Sequence, residues 1–166
     1  MIFGNPFYFS IIAEVIEEWN NEKAPFYNGV LLICVDGALF PKQVINATLS
    51  YDISELQNNL LNIAISNELF NMEKGTAFVE MYNRTFPSDI NVDNDYQYLI
   101  STPALSDYHY LVFAVSNGKQ TRVFASKLDY IKNESTHNLN NIDISESLIA
   151  NDELKKIAFE LELVLK

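Results

Sequence analysis

The stretch Tyr108-His109-Tyr110-Leu111-Val112-Phe113-Ala114-Val115-Ser116-Asn117-Gly118-Lys119-Gln120-Thr121-Arg122-Val123-Phe124-Ala125-Ser126-Lys127-Leu128 decides the fold class. Its first half is almost wholly apolar and β-prone. Its second half alternates, with Thr121, Val123 and Ala125 set against Arg122 and Phe124. A period of two marks a strand, because successive side chains point to opposite faces of a sheet. Asn117-Gly118 between the halves favours positive φ, and the spacing predicts a type I′ turn joining two antiparallel strands. His109 falls within the first of these strands.

Upstream, Tyr96 to Thr102 reads as a further strand ending at Pro103, preceded by a polar loop over residues 87–95. Phe78, Met81, Tyr82 and Phe86 recur three and four apart and predict a helix from Thr76 to Thr85, stopped before Pro87. Asp52-Ile53-Ser54-Glu55 has capping-box spacing. Behind it Ile53, Leu56, Leu60, Ile63 and Ala64 form one apolar helical face, fading near Ser66-Asn67. Nearer the start, residues 7–19 alternate, with Phe7, Phe9, Ile11, Ala13 and Val15 on one side, which predicts a strand about ten residues long. A loop over Asn20 to Pro25 leads to an apolar run over 26–35. Asp36-Gly37 turns that run back into Ala38-Leu39-Phe40, and a short strand is expected over Val44 to Leu49.

Downstream, residues 133–147 are rich in Asn and Ser, with one short strand expected around Asn138 to Ile144. The C-terminal segment reads as an amphipathic helix capped by Asn151, with Asp152 and Glu153 at the positive end of its dipole. Leu154, Ile157, Ala158, Leu161 and Leu165 share its apolar face. Hairpins with helices between and after them imply an α+β fold, an antiparallel-rich sheet with helices packed on it. The 166 residues are expected to form one domain, residues 1–166, long enough to bury a core unaided.

Twenty-two acidic against eleven basic residues give a net charge of −11 and a pI near 4.5. Such a chain is repelled by nucleic acid and anionic membranes and attracted to basic surfaces. No apolar run reaches the roughly 18 residues of a spanning helix. The opening MIFGNPFYFSIIAEV has no basic residue before its apolar stretch and does not read as a secretory leader. Cys34 is the single cysteine, set in the apolar run Val30 to Val35, and reads as a small buried hydrophobe. These features point to a reducing, cytoplasmic setting.

Catalytic and cofactor signatures are not found. His109 and His137 belong to no metal spacing, no G-x-S-x-G elbow presents a serine, and no Gly-rich phosphate loop occurs. Neither a cofactor nor a metal is expected. Asp89-Ile90-Asn91-Val92-Asp93-Asn94-Asp95 begins like an EF-hand loop, but Asn94 replaces the turning Gly and Ile100 the bidentate Glu. A solvated acidic loop is the plain reading, and an acidic contact point for a basic partner lies between that and a Ca²⁺ site. No Lys or Arg occurs from Thr85 to Gly118, the segment that holds Asp89, Asp93, Asp95 and Asp107, whereas Lys119, Arg122, Lys127 and Lys132 gather around the hairpin. Asp89, Asp93, Asp95, Tyr96 and Asp107 are therefore the expected partner-binding residues, acids for steering with an aromatic anchor beside them.

The start Gly4-Asn5-Pro6 followed by Phe9, the pair Trp19-Asn20, the run Tyr27-Asn28-Gly29-Val30 and the hairpin Asp36-Gly37-Ala38-Leu39-Phe40-Pro41 cover the first quarter of the chain. They resemble immunity-protein family forty-two of bacterial polymorphic-toxin systems, of the contact-dependent growth inhibition type. The resemblance implies a cytosolic, non-catalytic antidote to a cognate toxin. A nuclease is the expected kind of toxin, because a nuclease must be basic to hold its substrate. The resemblance transfers no inhibitory residue, and the Gly-Asn-Pro opening reads as a turn feeding the first strand. A structural, assembly or chaperone subunit of a phage or secretion apparatus is the alternative, and a carboxylate hydrolase stands third.

Overall fold

A computed structural model describes residues 1–21 and 25–166. The strand expected over 7–19 narrows to its middle, and a strand not expected from the sequence precedes it. β1 (Ile2–Asn5) and β2 (Phe9–Val15) form a hairpin in which Ile2 faces Ile12 and Asn5 faces Phe9. Gly4-Asn5 thus ends a strand of its own, and the turn lies over residues 6–8. Asn5 closes it, accepting from the amide of Tyr8 with its backbone oxygen at 3.0 Å and from that of Phe7 with Oδ1 at 3.0 Å. Phe7 is therefore solvent-facing, whereas Phe9, Ile11 and Ala13 are buried as the alternation requires. Residues Glu17–Trp19 form one 3-10 turn instead of continuing the strand. Of the loop expected over 20–25, residues 22–24 lie outside the described residues.

β3 (Asn28–Val35) pairs antiparallel with β2, Ile11 opposite Ile33, and turns at Asp36-Gly37 into β4 (Ala38–Phe40). Both turn residues have positive φ, 51° and 75°. The short strand expected over 44–49 shrinks to β5 (Ala47–Thr48), which pairs with the start of β3. Helix α1 (Leu49–Leu61) follows at once, so its start precedes the Asp52 capping-box position by a turn. Asp52 thus lies inside the helix instead of at its N-cap. Its buried carboxylate accepts from the amide of Ala104 at 3.4 Å.

Ser66, where α1 was expected to fade, caps a further short helix α2 (Asn67–Asn71) by accepting from the Leu69 amide. Helix α3 (Lys74–Thr85) matches the expected helix, extended by two residues because Glu73 binds the amides of Gly75 and Thr76. The strand expected over 96–102 does not form. Residues 98–101 lie along the central hairpin with one isolated bridge, Leu99 to Phe113, and Pro103 begins the short helix α4 (Pro103–Ser106).

The central hairpin is present as β6 (Tyr110–Ser116) and β7 (Gln120–Lys127), with Phe113 opposite Phe124. Its turn is not type I′. Gly118 has φ of 92° while Asn117 stays in the ordinary region, and the Asn117 Oδ1 accepts from the amides of Lys119 and Gln120. The strand expected around 138–144 is displaced on both sides. β8 (Tyr130–Ile131) and β9 (Thr136–His137) form a small hairpin, and β10 (Ser145–Ala150) joins β7 in a three-stranded sheet. Helix α5 (Asn151–Glu160) starts as expected, but the Asn151 side chain bonds the hydroxyls of Ser116 and Thr121 and so ties the helix to the hairpin.

Two apolar clusters result. The first joins one face of the β1–β4 sheet, α1, α5 and the C-terminal turn (Leu161–Leu165) to Val112, Ala114, Val123 and Ala125 of the hairpin. The second packs α2 and α3 against the hairpin's opposite face, Leu111, Phe113, Val115 and Phe124. Phe78 meets Phe113 edge-on at 5.2 Å. This antiparallel-rich sheet arrangement with packed helices is the α+β fold expected. No described helix is long and apolar enough to cross a membrane.

Candidate functional site

The acidic segment is an ordered loop moored to the C-terminal end of α3. The Asp95 amide donates to Arg84 O at 2.9 Å, Asn94 Nδ2 to Thr85 O at 2.7 Å, and Thr85 Oγ1 to Asp95 O at 3.1 Å. Two of its acids also shape its backbone. Asp89 Oδ1 accepts from the Asn91 amide and Nδ2, each at 2.9 Å, which lowers the Asp89 pKa. Asp95 accepts from the Gln97 amide at 3.2 Å and from Gln97 Nε2 at 2.7 Å. Among the described residues no group of three His, Cys, Asp or Glu side chains could hold a metal ion.

Between the acids, Ile90 is 97% exposed and Val92 54% exposed, and Tyr96 is 57% exposed with its ring edge-on to Phe86. Asp89, Asp93, Asp95 and Tyr96 thus share one loop. Asp107 sits apart, exposed just beyond α4, and its charge is felt by Asp52.

Beside the loop opens a cleft of about 660 Å³, lined by Tyr82, Phe86, Asn94, Glu134, His137 and Leu139 among others. Its far wall is the β8–β9 hairpin. Both histidines hold that hairpin. His137 Nδ1 lies 2.9 Å from Tyr82 Oη and its Nε2 lies 3.1 Å from His109 Nδ1. His109 stacks on Tyr130, ring centroids 4.8 Å apart and planes 5° apart. His109 does not lie within the strand as expected. It precedes β6 with φ of 63°, in the left-handed region that strands do not use. Burial, then the neighbouring His109, lowers the His137 pKa.

The sequence gives little sign of this cluster, since the pairs Tyr82–His137, His109–His137 and His109–Tyr130 are 55, 28 and 21 positions apart and only folding joins them. Ile90 and Val92 carried a readable signal, apolar residues alternating with acids where a loop was expected. The cations around the hairpin prove partly occupied. Arg122 pairs with Glu146 at 2.6 Å, and Lys127 lies over the Tyr110 ring at 5.1 Å. Cys34 is buried, with Sγ 3.0 Å from Pro6 O, and burial raises its pKa.

The family model described as Immunity protein 42 matches residues 1–163. The chain belongs to the Immunity protein 42 family. A solved structure similar to this Immunity protein 42 chain is the crystal structure of CdiI from Burkholderia dolosa AUO158. It is 26% identical, with a TM-score of 0.79, over 98% of this chain and 99% of that one. No curated protein matches the chain. The family resemblance read from the first quarter therefore extends over nearly the whole length. Membership of an immunity-protein family and likeness to CdiI support a toxin-neutralising immunity function, with a cognate toxin as partner and a non-catalytic inhibitory role.

Proposed function

We propose that residues 1–166 act as one domain in the cytoplasm, binding a basic toxin of the nuclease kind and occluding its active or substrate-binding surface. The docking face is the loop carrying Asp89, Asp93, Asp95 and Tyr96, and Asp107, beyond α4, is a further contact apart from that loop. The observation that carries this reading is the exposure of Ile90, Val92 and Tyr96 between those carboxylates. Apolar anchors ringed by one sign of charge suit a partner of the opposite sign: the anchors hold, and the charges speed encounter. Inhibition by occupation requires no bond to be made or broken, and the absence of any recognised catalytic motif in the sequence accords with it.

The test uses the toxin encoded beside this gene. Co-expression should protect cells. Replacing Asp89, Asp93 and Asp95 together with Ser should slow association at low salt by about tenfold and flatten its salt dependence. Glu17 and Glu18 sit by a second exposed aromatic face formed by Trp19, Phe26 and Tyr27, and replacing them with Ser is the control. Unchanged association in the triple variant, with slowing in the Glu17/Glu18 variant, would move the docking face there.

A further inference from the structure

We infer that the cleft between α3 and the β8–β9 hairpin receives one arginine side chain of the toxin, its guanidinium lying against Phe86 and paired with Glu134. The inference rests on the reading that the toxin docks on the adjoining acidic loop, and it names what that face recognises.

Five observations support it. Glu134 is exposed on the cleft wall, and its carboxylate has neither an ion pair nor a hydrogen bond among the described residues. No lysine or arginine is among the lining residues, the hairpin's Lys132 included. Arg84 on α3 is occupied by Glu80 at 2.8 Å and lies over the Tyr98 ring. His137 adds no strong repulsion, because burial and then the neighbouring His109 favour its neutral form, its two ring nitrogens facing Tyr82 and His109. The walls are aromatic and apolar, Tyr82, Phe86 and Leu139, while Asn94 spends its Nδ2 on Thr85 O and keeps a carbonyl oxygen as a further acceptor.

A flat, weakly hydrated cation with a fork of donors meets these demands better than a compact ammonium. A guanidinium stacks on a ring face and pairs with a carboxylate at once, whereas a lysine must give up a tighter water shell. The cleft's volume falls within the range of about 300–1,000 Å³ typical of small-ligand sites, so a whole arginine side chain fits.

The probe is Nα-acetyl-arginine amide, titrated into the full-length protein and followed by NMR, with Nα-acetyl-norleucine amide as the uncharged comparison. Saturable shifts confined to Glu134, Phe86, Asn94 and His137 are expected from the arginine compound and not from the norleucine one. Glu134→Gln, which is exposed and makes no contact the fold needs, should weaken that binding at least fivefold. Equal responses to both compounds, or an arginine response untouched by Glu134→Gln, would overturn the assignment. Neither result involves the toxin, so the docking proposal would stand or fall separately. If the triple-Ser variant slows toxin association but Glu134→Gln leaves toxin affinity unchanged, the docking face is right and the arginine cleft is wrong.

Discussion

His109 Nδ1 lies 3.1 Å from His137 Nε2, joining the residue before β6 to the far strand of the β8–β9 hairpin. One ring must donate and the other accept, so the contact is lost if both rings carry a proton on the facing nitrogen. Burial and His109 depress the His137 pKa below its ordinary 6.5, so the unfolded chain binds the proton more readily than the folded one. The stability this pair contributes is fully present above 6.5 and declines as pH falls below it toward the folded value. The thermal midpoint should drop across that window, and His109→Gln should reduce the drop. A midpoint equally pH-dependent in that variant would remove the pair from the account.

Asp52 predicts the opposite slope. Its carboxyl is buried, which raises its pKa above 3.8. The protonated folded form is favoured, so this contribution is fully present below 3.8 and is lost as pH rises through the raised folded value. Asp52→Asn keeps an oxygen to accept from the Ala104 amide and removes the buried charge. The variant should be more stable than the parent at neutral pH, with the gain vanishing below 3.8. Chemical denaturation at the two pH values decides it.

Arg122 ties three segments together. It pairs with Glu146, donates to Phe70 O at 2.5 Å and to Met72 O at 2.8 Å, and lies 4.8 Å from the Phe124 ring centroid. Arg122→Met would keep much of the stem but strand two carbonyls and one carboxylate. The cost in urea unfolding should be about 2–3 kcal/mol. A loss under about 0.5 kcal/mol would mean water replaces those donors freely.

Gly29 and Gly118 should respond differently to the same substitution. An added Cβ at Gly29 would clash with the backbone oxygen of Glu14 on the paired strand and would lie 2.6 Å from Leu49 Cδ1. Gly29→Ala should therefore force β2 from β3 and cost several kcal/mol, seen as loss of soluble folded protein. At Gly118 nothing lies within 4 Å, and only the φ of 92° resists a side chain. Gly118→Ala should cost about 1–2 kcal/mol.

Legibility in the sequence followed the range of the forces involved. The β6–β7 and β3–β4 hairpins were readable because alternation and Asn-Gly or Asp-Gly are local. The α3 helix was readable from Phe78, Met81 and Tyr82 on one face. What failed depended on distant partners. Asp52 looks like a helix cap in sequence, but its carboxylate is drawn to Ala104, 52 positions away. Residues 98–101 have strand composition but reach β6 through scattered bonds, since turns on both sides leave no length for a ladder. The acidic loop was visible as charge. The cleft beside it was not, because Tyr82, Phe86 and His137 meet only after the β8–β9 hairpin folds over α3.

The β6–β7 hairpin faces apolar packing on both sides, Val112 and Ala114 toward one cluster and Leu111 and Phe113 toward the other. Neither half of the protein owns that wall. Peeling away the lobe that carries the acidic loop would wet Phe113 and Phe124, and peeling away the β1–β4 sheet would wet Val112 and Val123. The chain therefore has no half-melted refuge: the acidic loop and the rear sheet should be lost together, in one thermal transition.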